Sequence, residues 1–167
     1  MSDRQIHLHP LTAAAFLPFG QVIAAGCGVS SSANGGNAER FDALATLTHA
    51  PVATAPTMAV YRAQPMSLPF TIQLLERHPH SSQAFIPMTV EQFIVITALP
   101  TAQGDADLDT LKAFIGERGQ GINYRPGIWH YPIVVLHQQA DLLMFMWEAE
   151  TDNCIFQNLP QPITITA

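Results

Sequence analysis

An all-β jelly-roll barrel is the fold this sequence predicts, and three observations predict it. Short runs rich in β-branched and aromatic residues recur along the chain, prolines and glycines separate most of them, and no sustained helical period is present. Many short strands punctuated by turns favour a closed or double-sheet architecture over an α/β sheet. At 167 residues and 48% hydrophobic composition the chain has apolar material for one continuous core, so residues 1–167 are expected to form one domain.

Taken in order, residues 12–16 are the one stretch that reads as helix, with Thr12 as its cap and Pro18 and Gly20 closing it. Strands are predicted over 21–25, 58–62, 70–76, 83–87, 92–99, 111–115, 133–137, 142–148, 154–157 and 163–166, each a β-rich run bounded by turn residues. The segment Ser30-Ser31-Ser32-Ala33-Asn34-Gly35-Gly36-Asn37 is predicted to be a flexible loop inside the domain, because the strand-and-turn texture resumes directly after it. Asp152-Asn153 predicts a turn before the last strands.

Charge and composition exclude several functions. Seven Lys plus Arg against 13 Asp plus Glu, with no basic run, leave a net charge of -6 and no footprint for a phosphate backbone, so nucleic acid is not an expected partner. Only 12% of residues are charged, well below the roughly 25% usual for soluble domains, which predicts that part of the surface is covered by a second copy in a homodimer. Met1-Ser2-Asp3-Arg4 opens no signal-type apolar stretch and the runs 93–99 and 142–147 are too short to span a bilayer, so a soluble, cytoplasmic protein is expected. Cys27 and Cys154 read as reduced thiols in packing roles. No phosphate loop, nucleophile elbow, four-thiolate site or dinucleotide fingerprint is present.

The chemistry concentrates in Leu75-Glu76-Arg77-His78-Pro79-His80, then Gln83, then Tyr124-Arg125-Pro126-Gly127-Ile128-Trp129-His130. A barrel that brings these runs together places His78, His80, Gln83 and His130 around one cavity. Neutral imidazole both ligates borderline divalent metals and moves protons near neutral pH, so either role makes an enzyme site. On a regular strand Glu76, His78 and His80 share one face and Arg77 takes the other; Pro79 interrupts that regularity, so His80 is less firmly placed than His78. His7, His9, His49 and His137 fit surface or structural roles. Against so few cations, Arg40, Arg62, Arg77 and Arg125 stand out as fork-shaped receptors for a small carboxylate. Trp129 fits a core position and a substrate contact equally well.

The blocks Arg62-Ala63-Gln64-Pro65, Leu68-Pro69, Leu75-Glu76-Arg77-His78-Pro79, Gln83-Ala84-Phe85-Ile86-Pro87-Met88, Leu111-Lys112-Ala113-Phe114-Ile115, Gly121-Ile122-Asn123-Tyr124, Trp129-His130 and Asp152-Asn153-Cys154, with Asn34 and Glu39-Arg40 before them, resemble the bacterial ureidoglycolate lyase family, formerly called ureidoglycolate hydrolase. The resemblance runs nearly end to end. It implies a cupin-type double-stranded barrel, a homodimer, and conversion of (S)-ureidoglycolate to glyoxylate and urea late in allantoin and purine catabolism. It implies an association with a divalent metal, nickel, for which His78 and His130 are candidate ligands, with His80 a weaker third because relatives can carry an apolar residue there; His78, His130 and Glu76 are the expected catalytic groups and Arg40, Arg62, Gln83, Asn34 and Tyr124 the expected substrate contacts. Gln83 stands roughly where ordinary metal cupins carry a glutamate, which leaves that ligand set incomplete. Two other readings stand beside it: an amidohydrolase releasing ammonia from ureidoglycolate, and a non-catalytic cupin that binds a small carboxylic acid.

Overall fold

The computed structural model describes residues 4–167; Met1, Ser2 and Asp3 lie outside the described residues. Its elements are β1 (Arg4–Pro10), α1 (Ala13–Phe16), β2 (Gly20–Ile23), β3 (Val29–Ala33), β4 (Ala38–Asp42), β5 (Ala55–Ala63), β6 (Phe70–Arg77), β7 (Gln83–Pro87), β8 (Gln92–Pro100), β9 (Ala106–Glu117), β10 (Gly121–Tyr124), β11 (Trp129–Val135), β12 (Ala140–Glu148) and β13 (Ile155–Thr166). The predicted helix forms where expected, with Thr12 Oγ1 accepting the Ala15 N–H at 3.1 Å.

Alternation along β12 makes one sheet face: Ala140, Leu142, Met144 and Met146 are buried and the residues between them are not. Strand β8 is different. Phe93 and Val95 enter one apolar cluster, Ile94 and Ile96 a second, so this strand is covered on both sides and reads as a continuous apolar run. Six strands close a barrel in the order β1-β13-β6-β11-β8-β9, completed by β1, which pairs in parallel with both β13 and β9. A five-stranded antiparallel sheet, β2-β10-β7-β12-β5, supplies the second layer. This is the all-β barrel with a second sheet that the sequence predicted. Among the described residues no helix is long and apolar enough to cross a membrane.

Three details correct the sequence reading. Residues 30–37 are not a loop: β3 and β4 pair in antiparallel register around a short 3-10 turn, Asn34–Gly36, and form a hairpin on their own. Strand β1 was not anticipated, because its inward Ile6 and Leu8 alternate with exposed or half-exposed polar residues over too short a run. The two predicted segments at the C-terminus are one strand, β13, with a register break between Asn158 and Ile163 where Pro160 and Pro162 cannot donate to the ladder.

The aromatic centre of the interlayer cluster is Phe16 at the end of α1. Its fully buried ring lies 5.7 Å from Phe114, edge-on, and 6.1 Å from both Phe19 and Tyr124. Phe16→Ala leaves a void among these rings, and denaturant unfolding should register a loss of about 3–5 kcal/mol. A loss below about 1 kcal/mol would show that α1 is dispensable to the core.

Candidate active site

Antiparallel pairing of β6 with β11 sets His130 opposite Glu76, so the two side chains emerge on one face of the barrel wall. His78 follows two residues after Glu76 on the same face, just beyond the end of β6. His130 Nε2 lies 3.6 Å from Glu76 Oε1, and the His78 and His130 rings are 5.4 Å apart. One ligating atom from each of Glu76, His78 and His130 falls within 4.8 Å of the others.

Hydrogen bonds on the far side of each ring decide which nitrogen faces the cavity. His78 Nδ1 donates to the Asn153 carbonyl at 2.7 Å and His130 Nδ1 donates to the Ile128 carbonyl at 3.0 Å. A carbonyl only accepts, so each ring carries a proton on Nδ1 and turns Nε2 to the cavity, where Nε2 of the neutral His78 offers a lone pair. Those two Nε2 atoms are buried and have no hydrogen-bond partner. Two imidazole nitrogens and a carboxylate oxygen, converging with open positions, suit a borderline divalent cation.

The electrostatics agree. Burial works to raise the Glu76 pKa, but His130 at 3.6 Å, His78 and the Cys154 thiol together hold it below the ordinary carboxylate value. Burial, then the His130 charge, lower the His78 pKa against the opposing pull of the Asn153 carbonyl and Glu76. At neutral pH the site therefore holds an ionised carboxylate and a neutral His78. Cys154 Sγ donates to Glu76 Oε2 at 3.6 Å, and burial together with Glu76 pushes its thiol up to about 12, so it remains a protonated donor rather than a nucleophile.

These groups open on a cavity of about 350 Å³ whose other walls are mainly apolar, with Ala63, Phe85, Ile133 and Leu142 among them. Gln83 lies in the wall, its Nε2 donating to Met146 Sδ at 3.8 Å and its buried Oε1 without a partner. Tyr124 stands behind His130 rather than in the wall: the rings stack at 4.2 Å and 13°, and burial raises the phenol pKa so that it stays protonated.

The other predicted residues fall elsewhere. His80 is outside the ligand cluster, and Glu76 is its third member. Arg62 is exposed and gives a bidentate pair to Asp141, at 2.9 and 3.0 Å. Arg40 lies on the β3–β4 hairpin, paired with Asp42 at 2.7 Å, and Asn34 opens the hairpin turn. Neither arginine faces the cavity of its own chain. Arg77, on the opposite face as parity required, sits over the Trp129 ring at 5.0 Å, while the Trp129 indole donates to the Gly104 carbonyl and the ring packs in the barrel core. Sequence reasoning did not single out Cys154 as a partner of Glu76 or Tyr61 as a wall residue. The block Asp152-Asn153-Cys154 was the signal, since it supplies both the carbonyl for His78 and the thiol for Glu76.

An imidazole nitrogen titration should show His78 protonating below 6.5, its ordinary value. The sign follows for stability: the unfolded chain takes up that proton at the ordinary value and the folded chain only at lower pH, so His78 favours unfolding as pH falls from about 6.5 through the folded midpoint. A midpoint above 6.5 would contradict the buried, neutral assignment.

A family model described as ureidoglycolate lyase matches residues 3–166. Ureidoglycolate lyases of Burkholderia mallei, Burkholderia cepacia and Pseudomonas savastanoi pv. phaseolicola are 37%, 39% and 36% identical over 98%, 89% and 90% of this chain and 94%, 83% and 88% of theirs. Two solved structures are more distant: a dTDP sugar isomerase from Desulfovibrio desulfuricans, 13% identical over 86% of this chain and 87% of its own with a TM-score of 0.47, and an oxalate decarboxylase from Lactobacillus farciminis, 15% identical over 66% and 30% with a TM-score of 0.43. With a match to nearly the whole sequence and relatives at this identity, the chain belongs to the ureidoglycolate lyase family.

Proposed function

We propose that the protein cleaves (S)-ureidoglycolate to glyoxylate and urea, in purine catabolism. The observation that carries the reading is the convergence of Glu76, His78 Nε2 and His130 Nε2 at one end of a largely apolar cavity, in a chain whose relatives are named for this reaction. The substrate is a carbinolamide: one carbon bears a hydroxyl, a carboxylate and the ureido nitrogen. Cleavage removes the hydroxyl proton, forms the carbonyl as the carbon–nitrogen bond breaks, and protonates the departing nitrogen. Oxygen and nitrogen share that carbon, so a single ionised carboxylate can take the proton from one and return it to the other. Glu76 suits this task because it stays charged in a desolvated wall, and the Cys154 thiol steadies the oxygen that points away from His130. Gln83, with its unpartnered Oε1, is placed to accept an N–H of the ureido group.

A divalent cation fits the donor set of Glu76, His78 and His130; when bound it would polarise the substrate oxygens and lower the pKa of the hydroxyl. Nickel is the metal implied by the resemblance, and imidazole ligands suit it. We further assign the protein to the cytoplasm and to a homodimer, in keeping with its low charge and with Met58 and Val60 exposed at 65% and 56% on the edge strand β5. The lyase relatives favour carbon–nitrogen cleavage over amide hydrolysis, and a proton-accepting carboxylate in the cavity favours turnover over simple binding of an acid.

Incubation of the purified protein with ureidoglycolate should yield urea and glyoxylate in equal amounts with little ammonia; ammonia as the primary product would replace this reading with the amidohydrolase. Glu76→Gln, His78→Ala and His130→Ala should each lower turnover by roughly a hundredfold or more at unchanged fold. His78→Ala should also lose calorimetric binding of Ni²⁺ added to metal-stripped protein. Near-normal turnover in all three variants would remove the triad from the chemistry.

A further inference from the structure

The proposed substrate is an anion, yet among the described residues no Lys or Arg lines the cavity, and Glu76 holds a negative charge there. Beside any divalent cation held by the triad, a small carboxylate next to a negative group gains from a guanidinium or ammonium within hydrogen-bond reach. Arg62 and Arg77 are engaged elsewhere, and Arg125 donates to the Pro18 carbonyl at 3.0 Å. Among the described residues, the cavity of one chain offers a carboxylate no guanidinium or ammonium.

The β3–β4 hairpin is incomplete in the opposite sense. None of its strand residues is buried, and apart from its own turn it has no extensive packing against another element. An isolated two-stranded hairpin is marginal in water, so a hairpin that covers no core of its own needs a partner. It carries Arg40, whose pair with Asp42 joins two side chains exposed at 69% and 45%, an interaction that contributes little and exchanges readily.

The hairpin springs from beside β2, at one edge of the five-stranded sheet, whereas the cavity runs from Gln83 and Phe85 on β7 to Tyr61 and Ala63 on β5 at the other edge. Two strand spacings separate β2 from the near side of the cavity and four from its β5 side, roughly 10 and 19 Å. The chain that follows the hairpin is pinned across the sheet by bonds from Asn123 to the Thr46 carbonyl, from the Thr48 amide to Ser82 and from the Ala50 amide to the His80 carbonyl. The chain leaving the arm is thereby anchored beside β10 and on the loop between β6 and β7, while the arm itself has no extensive packing on the cavity-lining strands of its own chain. A two-fold axis has no such difficulty, because it sets the arm of each copy against the far edge of the other, where Met58 and Val60 are exposed.

We propose that the β3–β4 hairpin is an exchanged arm: in a two-fold dimer it crosses to the second copy and places Arg40 at the mouth of that copy's cavity, where the guanidinium receives the substrate carboxylate through two parallel hydrogen bonds. The proposal rests on the lyase reading only for the charge of the substrate. Each cavity then combines Glu76, His78 and His130 of one chain with Arg40 of the other.

Mixed dimers test it. Homodimers of Arg40→Ala and of Glu76→Gln should each be nearly inactive, and a heterodimer of the two, isolated through different affinity tags, should recover about half of wild-type turnover, because one of its two cavities has both native groups. In parallel, benzoylphenylalanine introduced at Asn34 and photolysed in a mixture of isotope-labelled and unlabelled protein should crosslink to the cavity-bearing strands of the opposite isotope. A heterodimer as inactive as its parents, wild-type KM in the Arg40→Ala homodimer, a monomer by sedimentation, or crosslinks confined to one chain would each overturn the exchange. Wild-type protein that fails to turn over ureidoglycolate defeats the lyase reading instead, and the crosslink still decides the arm.

Discussion

Two hydrogen bonds from imidazole to main chain govern the site. His78 and His130 each spend Nδ1 on a backbone carbonyl, of Asn153 and of Ile128, and that choice turns both Nε2 atoms toward Glu76. Carbonyls fixed in the fold hold the rings more rigidly than side-chain partners would, and they decide the tautomer as well as the direction. The register of β6 against β11 then brings Glu76 and His130 together, while Tyr124 backs the His130 ring and is itself packed on Phe16 at the end of α1. The geometry of the triad thus reaches back through a continuous aromatic stack to the first helix.

Burial does chemical work here because its two effects oppose each other at Glu76. Desolvation alone would keep the carboxyl protonated, and the neighbouring imidazoles reverse that tendency. An ionised carboxylate beside neutral His78 in a mainly apolar cavity interacts strongly with whatever charge enters, whether a cation held by all three residues or a substrate hydroxyl poised to lose its proton. The same environment silences Cys154 as a nucleophile and leaves its thiol as a hydrogen-bond donor.

Much of this was legible in the sequence, for reasons that can be named. The pleat places Glu76 and His78 on one face and Arg77 on the other, which is where the structure has them, and His130 reaches the same cavity from the second run of the split motif. The interruption expected at Pro79 is what separates His80 from the cluster: the strand ends at Arg77, the chain turns, and the His80 carbonyl receives the Ala50 amide. The orientation of Arg62 could not be read because β5 is an edge strand with Met58 and Val60 exposed, so hydrophobicity does not mark which face looks inward. The hairpin of β3 and β4 escaped for a related reason: serines, glycines and asparagine give no apolar alternation when neither strand face covers a core of its own chain.

The central claim is a statement about protons, and neutron diffraction from deuterium-exchanged crystals at neutral pH addresses it directly. Deuterons should appear on Nδ1 of both His78 and His130, with none on Nε2 of His78 and none on the Glu76 carboxylate. A deuteron on the Glu76 carboxyl, or on Nε2 with Nδ1 bare at either imidazole, would contradict the account.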